Sequence, residues 1–165
     1  MAVLPEPWLR GALPGVSPYV APLLYSFQMA REDLALHTEG LTPALLWARP
    51  GGAAPVGFHI RHAGGSVERL MVYLQGGQLT EQQLAALREE MTPGAAREEL
   101  LAELDRALSA AEAVARTLPT DTLTAPRGVG RKQLPTTVIG LIVHMAEHTQ
   151  RHVGQAVTTA RLVRG

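Results

Sequence analysis

The segment from Leu141 to Gln155 has the sequence LIVHMAEHTQRHVGQ, in which His144, His148 and His152 stand four residues apart. Apolar residues at helical spacing accompany them, and the surrounding stretch, Leu134 to Arg164, is predicted to form an α-helix. Side chains at positions i and i+4 of a helix lie one turn apart on the same face. Two imidazoles in this arrangement can bind one metal ion, as they do in zinc-binding helices with an H-E-x-x-H sequence. The pairs 144/148 and 148/152 meet this condition equally well.

The composition limits the classes of protein to which the chain can belong. Its 165 residues are 46% hydrophobic and include 15 basic and 15 acidic side chains. These values predict one globular domain over residues 1–165, with residues 1–17 as an irregular lead-in that contains several prolines and glycines. The zero net charge and the 4% aromatic content argue against a nucleic-acid partner.

Two absences in the sequence bear on localisation and on redox chemistry. The N-terminal residues lack the features of a signal peptide, and no apolar run approaches the roughly eighteen residues of a membrane span. We therefore expect a cytoplasmic protein with no membrane partner. The chain contains no cysteine, so any metal is held by nitrogen or oxygen atoms, and any thiol used in chemistry is a cosubstrate.

Four substantial helices are predicted, which makes the fold an all-α, up-down four-helix bundle. Hydrophobic spacing places them at about Pro18–His37, Pro55–Leu74, Pro93–Leu118 and, with Pro135 in its first turn, the histidine-bearing segment. A capping box that begins at Thr80 predicts a short extra helix to about Glu90, before the third long helix. The Thr-Pro pair at 42–43 predicts a single helical turn over Ala44–Trp47. No strand alternation of useful length is found in the sequence.

Two further features carry expectations about packing and about the edge of a site. Gly64 and Gly65 lie inside the second helix, where each costs about 1 kcal/mol relative to alanine, and close approach of another backbone is one reason to tolerate them. The segment Pro119–Lys132 is predicted to be a polar loop, made basic by Arg127 and Arg131. Such a loop either keeps the surface soluble or attracts an anionic substrate to the edge of a site.

A metal site in a bundle is built from side chains that face inward on neighbouring helices. The second helix offers His59 and His62, which supply a third ligand beside a pair from the last helix. Three imidazoles with an open position form a catalytic zinc-type site, which also suits nickel, manganese or iron. The metal lowers the pKa of a bound water or thiol, so that species is the expected reactant. The alternative, histidines that only pack in the core, predicts no metal.

The general base is not evident from the sequence. Glu147 is adjacent to a candidate ligand but lies about 100° from His148 around the helix. Glu68 is more simply a salt-bridged surface residue. Neither carboxylate is therefore predicted to be catalytic.

Two segments resemble the DinB/YfiT-like superfamily of bacterial metal-binding four-helix bundles. The sequence HTQRHVGQ at 148–155 is similar to the H-x-x-x-H-x-G-Q ending of the family, and VGFHIRHAG at 56–64 is similar to its third-ligand segment. The resemblance implies that the metal ligands are His62, His148 and His152. His59 and His144 then lie beside the ligands, where each either orients a ligand or packs. The family often has arginine at the position where this chain has Val153. The valine removes a positive charge there but leaves the ligands intact.

The resemblance also implies an activity. Many members of the family are homodimers that bind a divalent metal, commonly nickel or zinc. Characterised relatives are transferases or isomerases that use a low-molecular-weight thiol such as bacillithiol or mycothiol, with an electrophilic small molecule as the second substrate. A metal keeps such a thiol deprotonated near neutral pH. The alternatives are a metal-dependent hydrolase, a non-catalytic metal-binding bundle of the stress or damage response, and an all-α interaction protein without metal.

Overall fold

The computed structural model describes residues 4–165, which form six α-helices and one β-hairpin. The helices are α1 (Ala21–His37), α2 (Pro43–Leu46), α3 (Val56–Leu74), α4 (Glu81–Glu89), α5 (Arg97–Arg116) and α6 (Val138–Arg164). The strands are β1 (Pro126–Val129) and β2 (Leu134–Thr137), and single 3₁₀ turns lie at Pro7–Leu9, Pro50–Gly52 and Thr120–Thr122. The long helices α1, α3, α5 and α6 form the bundle. The predicted all-α four-helix bundle, with a short extra helix before the third long helix, is therefore confirmed.

Helices α1 and α6 are parallel neighbours. The Ser26 hydroxyl on α1 donates to the carbonyl of Ala146 on α6 at 3.0 Å. At the other end of the pair, the guanidinium of Arg164 donates to the carbonyl of His37 at 2.9 Å. Both helices therefore advance in the same direction, although the first and last helices of the chain are far apart in sequence.

Helix α3 runs antiparallel to α6. His59 lies against His152, with 3.0 Å between their Nδ1 atoms, and His62 lies against His148, with 3.1 Å between their Nε2 atoms. As the residue number increases along α3, the number of the facing residue on α6 decreases. The two helices therefore face each other through histidines over more than one turn.

Helix α5 runs antiparallel to α1 and parallel to α3. Arg31 in α1 pairs with Asp105 of α5 at 2.6 Å, whereas Ala35, one turn later in α1, accepts a hydrogen bond from Arg97 at the start of α5. The long helices therefore run up, down, down and up in chain order. The segment that contains α4 makes this order possible, because it carries the chain back to the end of the bundle at which α3 began.

The core of the bundle receives apolar side chains from every long helix. Phe27 and Leu34 come from α1, Leu74 from α3, Leu108 from α5 and Met145 from α6, and each is at most 1% exposed. These residues recur at helical spacing, so one face of each helix is covered by the other three. Burial of this apolar surface is the main term that stabilises the fold.

The helix-start signals read from the sequence are confirmed at two places. The Thr80 hydroxyl accepts from the Gln83 amide at 3.2 Å, and the Gln83 side chain accepts in return from the Thr80 amide at 2.9 Å. This reciprocal pair is the predicted capping box of α4. The Thr42 hydroxyl accepts from the amide of Leu45 at 3.3 Å and so caps the single turn α2.

The expected close approach at the glycine pair of α3 is also found. A Cβ atom on Gly64 would lie 3.3 Å from the Cα of Leu104, so the backbones of α3 and α5 pass each other at this point. The absence of a side chain lets these parallel helices pack closely. The loss of helix propensity at Gly64 therefore has a packing reason.

The predicted starts of two helices were wrong. Helix α1 begins at Ala21 and not at Pro18, because residues 18–20 form a turn. Helix α5 begins at Arg97 and not at Pro93, because Gly94 has a φ of +133° and the residue at 96 is extended. The carboxylate of Glu99 then accepts from the amide at 96 at 2.8 Å, which satisfies one of the free amides of the first turn.

The prediction of a strand-free chain with an unstructured loop at Pro119–Lys132 was wrong. Strands β1 and β2 pair antiparallel, with Pro126 opposite Thr137. Pro135 lies in β2 and not in the first turn of the last helix, which starts at Val138 after the Thr137 hydroxyl has capped it. Each strand has four residues, too few to give a readable alternation in the sequence.

The basic residues of this segment have structural partners. The guanidinium of Arg127 donates to the carbonyl of Leu74 at 2.6 Å and so satisfies a terminal carbonyl of α3. Arg131 pairs with Glu81 at 3.3 Å on the exposed surface. Both contacts tie the hairpin to neighbouring elements, which supports the structural interpretation of this segment over a role at the edge of a site.

Within residues 4–165, no helix combines the length and the apolar character that crossing a membrane requires.

Removal of the buried Leu108 side chain should destabilise the bundle strongly. Leu108 is 0% exposed, so Leu108→Ala leaves a cavity between the helices and should lower the free energy of unfolding by about 2–5 kcal/mol. Leu36→Ala is the matched control, since Leu36 is 64% exposed, and should change it by less than about 0.5 kcal/mol. Urea denaturation of both variants measures the difference. Equal effects of the two substitutions would contradict the assigned core.

Candidate metal centre

The antiparallel packing of α3 and α6 brings His62, His148 and His152 together. The Nε2 atoms of His62 and His148 are 3.1 Å apart, and one ring nitrogen of each of the three residues lies within 4.8 Å of the others. The ring centroid of His152 is 4.4 Å from that of His62 and 4.6 Å from that of His148. Three imidazoles at this separation can reach one ion at the usual metal–nitrogen distance of about 2.0–2.1 Å.

The hydrogen bonds of the rings indicate which nitrogen of each ligand is free. The Nδ1 atom of His62 lies 2.6 Å from a carboxylate oxygen of Glu90. The Nδ1 atom of His152 lies 3.0 Å from Nδ1 of His59. These contacts leave Nε2 as the other nitrogen in both residues, and Nε2 can bind an ion in the tautomer that carries the ring proton on Nδ1.

Burial keeps these rings in the form that binds metal. Desolvation, together with the nearby His62 and His148, lowers the pKa of His152 to about 3. Desolvation, together with the nearby His62 and His144, also lowers the pKa of His148 below its ordinary value. Both rings are therefore neutral near pH 7, each with a lone pair available for a divalent ion.

Phe58 packs against the cluster from α3. Its ring stacks on His62, with centroids 5.2 Å apart and an interplanar angle of 22°, and meets His59 edge-on at 5.3 Å. Such contacts restrict the rotamers of the imidazoles and shield one side of the cluster from water. The site is thus held in shape by an apolar wall as well as by hydrogen bonds.

The structure places the remaining two candidate histidines differently. His59 is 5% exposed, contacts His152 and has its pKa lowered to about 4 by desolvation and by His62. His144 is exposed and its Nδ1 atom lies 2.7 Å from Glu147 on the same helix. His59 is therefore placed to orient a ring of the cluster, whereas His144 points to the surface.

A second group of candidate ligand atoms shares His148. Ring or carboxylate atoms of His144, Glu147 and His148 also lie within 4.8 Å of one another. This group lies on one helix, and two of its three members are exposed. The group that includes His62 is better built for an ion, because two helices hold it and its members are less exposed to water.

Sequence reasoning missed Glu90, which follows the last residue of α4. Glu90 is 4% exposed, and its two carboxylate oxygens lie 2.6 Å from Nδ1 of His62 and 2.6 Å from Nη1 of Arg69. The glycine pair was the available signal, because a Cβ on Gly65 would lie 2.5 Å from the Glu90 carboxylate. The glycine pair indicated that another part of the chain packs closely against α3 at this point. It did not indicate that this part is a carboxylate side chain. Glu68, in contrast, is exposed.

An open cavity of about 790 Å³ lies beside the cluster. His59 and His152 form part of its wall, together with Phe58, Arg151 and Gln155. The cavity therefore combines an aromatic ring, a cation and an amide next to the imidazoles. Val153 is 3% exposed and packs in the core, so this position adds no charge to the cavity.

The comparison with family models decides the classification of the chain. Residues 26–156 match the model of the DinB superfamily. The chain belongs to the DinB superfamily. The match covers α3 and most of α6, and so includes every histidine of the cluster.

Two solved structures share the fold of this chain. A conserved protein from Enterococcus faecalis superposes with a TM-score of 0.74 over 88% of this chain and 97% of that protein, at 16% sequence identity. YfiT from Bacillus subtilis, described as a probable metal-dependent hydrolase with an unusual four-helix bundle topology, superposes with a TM-score of 0.66. That match covers 92% of this chain and 91% of YfiT, also at 16% identity. No curated protein matches the sequence significantly.

Loss of one clustered imidazole should abolish metal binding. We expect about one divalent ion per chain in protein prepared without an affinity tag, and no ion in His62→Ala, His148→Ala or His152→Ala, because two imidazoles are left in place of three. His144→Ala is the matched control and should keep the ion, since its ring pairs with Glu147 at the surface. Elemental analysis measures the content. Loss in the control with retention in His152→Ala would identify the outer group as the site.

Proposed function

We propose that this chain is a divalent-metal-dependent enzyme that transfers a low-molecular-weight thiol, of the bacillithiol or mycothiol type, to an electrophilic small molecule. The observation that carries the proposal is the convergence of three imidazoles beside an open cavity, whose wall includes one of them, His152. A fully enclosed set of four ligands is typical of a structural site, whereas three ligands beside a cavity leave a position for a reactant.

The proposed ligands are His62, His148 and His152, and the proposed ion is nickel or zinc, with manganese or iron as further possibilities. Imidazole nitrogens suit each of the first two ions, and the chain has no thiolate to offer. When bound, such an ion supplies a Lewis acid that lowers the pKa of a coordinated thiol or water.

The protein's own residues position and shield the reactants. Nδ1 of His59 lies 3.0 Å from Nδ1 of His152, and with the proton on Nδ1 of His152 this contact would leave Nε2 of that ring to hold the ion. Phe58 excludes water from one side of the cluster. Arg151 and Gln155 line the cavity and can hold polar or anionic groups of a substrate. In the transfer, the sulfur forms a bond to the electrophilic carbon, the leaving group departs with its electron pair, and the thiol proton passes to solvent.

The absence of cysteine is compatible with an external thiol as the nucleophile. The resemblance of the histidine segments to relatives with thiol-dependent chemistry supports the same choice. The size of the cavity, about 790 Å³, is enough for a small thiol and a second small molecule.

A metal-dependent hydrolase is the second candidate. The specific reason to retain it is the structural similarity to YfiT, which is described as a probable metal-dependent hydrolase. In this version water takes the place of the thiol at the same imidazoles. The protein residues then have the same positioning roles, so the two candidates differ in the nucleophile alone.

Thiol dependence separates the two candidates. Metal-loaded protein is incubated with 1-chloro-2,4-dinitrobenzene or 4-nitrophenyl acetate, each with and without a panel of low-molecular-weight thiols. With 1-chloro-2,4-dinitrobenzene we expect a thioether, formed with loss of chloride, that requires both metal and thiol and does not exceed background with His148→Ala. With 4-nitrophenyl acetate, transfer to the thiol would give a thioester and hydrolysis would give acetate. Thiol-independent hydrolysis would favour the hydrolase. No turnover with any pair would count against a broadly acting transferase, and an extended panel of electrophiles would follow.

We also propose that the protein is cytoplasmic and forms a homodimer, as the family resemblance suggests. Light scattering coupled to size-exclusion chromatography tests the second point. A mass near twice the 17.7 kDa of one chain is expected. A mass equal to one chain at micromolar concentration would contradict it.

A further inference from the structure

We propose that Glu90 is a positioning residue that fixes His62 for the metal and couples the docking of α4 to occupation of the site. The inference rests on the proposed metal function of His62, His148 and His152. It assigns to α4, the short extra helix, a part in the chemistry of a site built from α3 and α6.

Helix α4 is attached to the bundle through the residue that follows it. None of the described residues of α4 itself, Glu81–Glu89, is buried. Glu90, the next residue, is 4% exposed. The carboxylate of Glu90 is therefore the part of this segment that reaches into the protein, and its contacts hold the end of the helix in place.

The contact with Glu90 determines which nitrogen of His62 carries the proton. An ionised carboxylate only accepts hydrogen bonds, so Nδ1 of His62 must donate across the 2.6 Å contact to Glu90. In the neutral form of the ring, the remaining nitrogen, Nε2, carries the lone pair, and it lies 3.1 Å from Nε2 of His148. The contact with Glu90 therefore selects the tautomer of His62 that can bind an ion on the side of the cluster.

The charge of the Glu90 carboxylate is balanced by a neighbouring arginine. An isolated carboxylate is costly to bury, and the second oxygen of Glu90 is accordingly paired with Nη1 of Arg69 at 2.6 Å. Arg69 lies on α3, two turns beyond His62, so both partners of the carboxylate belong to the same helix. The ion pair keeps the negative charge beside His62 without leaving it uncompensated.

Glu90 occupies space that is left free by the absence of a side chain at Gly65. A Cβ on Gly65 would lie 2.5 Å from one Glu90 oxygen and 2.8 Å from Nη1 of Arg69. A glycine inside a helix is unfavourable relative to alanine, but here it makes room for the ion pair. Gly65→Ala therefore offers a way to displace Glu90 without removing any charged group.

These contacts couple α4 to the metal in both directions. An ion on Nε2 of His62 makes its Nδ1–H a stronger donor, so it strengthens the bond to Glu90 and holds the end of α4 more firmly. By linkage, loss of the Glu90 contact must weaken metal binding by the same free energy. A purely structural anchor, in contrast, would leave the metal affinity unchanged once the protein is folded.

The experiment measures metal affinity and the protection of α4 together. Full-length metal-free protein is titrated with Co²⁺ and followed by the visible absorption of the ion, for wild type, Glu90→Gln, Gly65→Ala and Glu89→Gln. Glu89 is the exposed neighbour of Glu90 and serves as the matched control. We expect wild type and Glu89→Gln to bind alike, and Glu90→Gln to bind about 10–100-fold more weakly with an altered spectrum. Gly65→Ala should weaken binding in the same direction.

Hydrogen exchange supplies the second readout. Addition of Co²⁺ should slow the exchange of backbone amides in residues 81–90 of wild type, and it should have a smaller effect in Glu90→Gln. Thermal unfolding of each metal-free variant shows whether it is folded. If Glu90→Gln and Gly65→Ala are folded and bind Co²⁺ as tightly as wild type, the positioning role is overturned and the metal site stands. If wild type itself binds no Co²⁺, the proposed metal function fails and this inference fails with it.

Discussion

The antiparallel packing of α3 against α6 is the constraint on which the rest of the structure depends. It sets residues 59 and 62 opposite residues 152 and 148, so that histidines from both helices share one small volume. A shift of either helix by one residue would rotate its side chains by about 100° and separate the rings. The apolar core fixes the register of the two helices, because side chains such as Ile60 and Met145 are fully buried on the same helices. The packing of the core, rather than any single hydrogen bond, thus sets the relative positions of the histidines.

Burial of this polar cluster has a cost that the surrounding residues partly offset. His59 and His152 satisfy each other, and Glu90 satisfies His62. Nδ1 of His148 is buried and has no hydrogen-bond partner among the described residues. A buried polar atom without a partner is unfavourable for folding, and a binding or catalytic role is one explanation for it. The arrangement is therefore easier to explain as a binding site than as a device for stability.

The sequence predicted the long helices, and the closeness of His62 to His148 and His152, better than it predicted the connections between the helices. Periodic apolar residues over many turns define a helix almost independently of its surroundings, and histidines four residues apart must share a face. The hairpin of residues 126–137 escaped notice, because strands of four residues are too short for such a pattern. Glu90 escaped notice for a different reason. Its burial depends on Arg69 and Gly65, which lie more than twenty residues earlier in the chain, and no local pattern marks a surface-type residue that tertiary contacts bury.

The order in which the helices run explains why the chain contains α4 at all. A bundle whose second and third long helices are parallel needs a connection that returns along its full length, and residues 75–96 make that connection. Since the return path crosses beside α3, the connecting segment passes the outer side of His62. A polar residue on that path can reach Nδ1 of the ring while the bundle core holds Nε2 toward α6. The topology thus places the carboxylate of Glu90, in the connecting segment, against the proposed ligand His62 on α3. Changes in the sequence of the connection can therefore alter the site without disturbing the bundle.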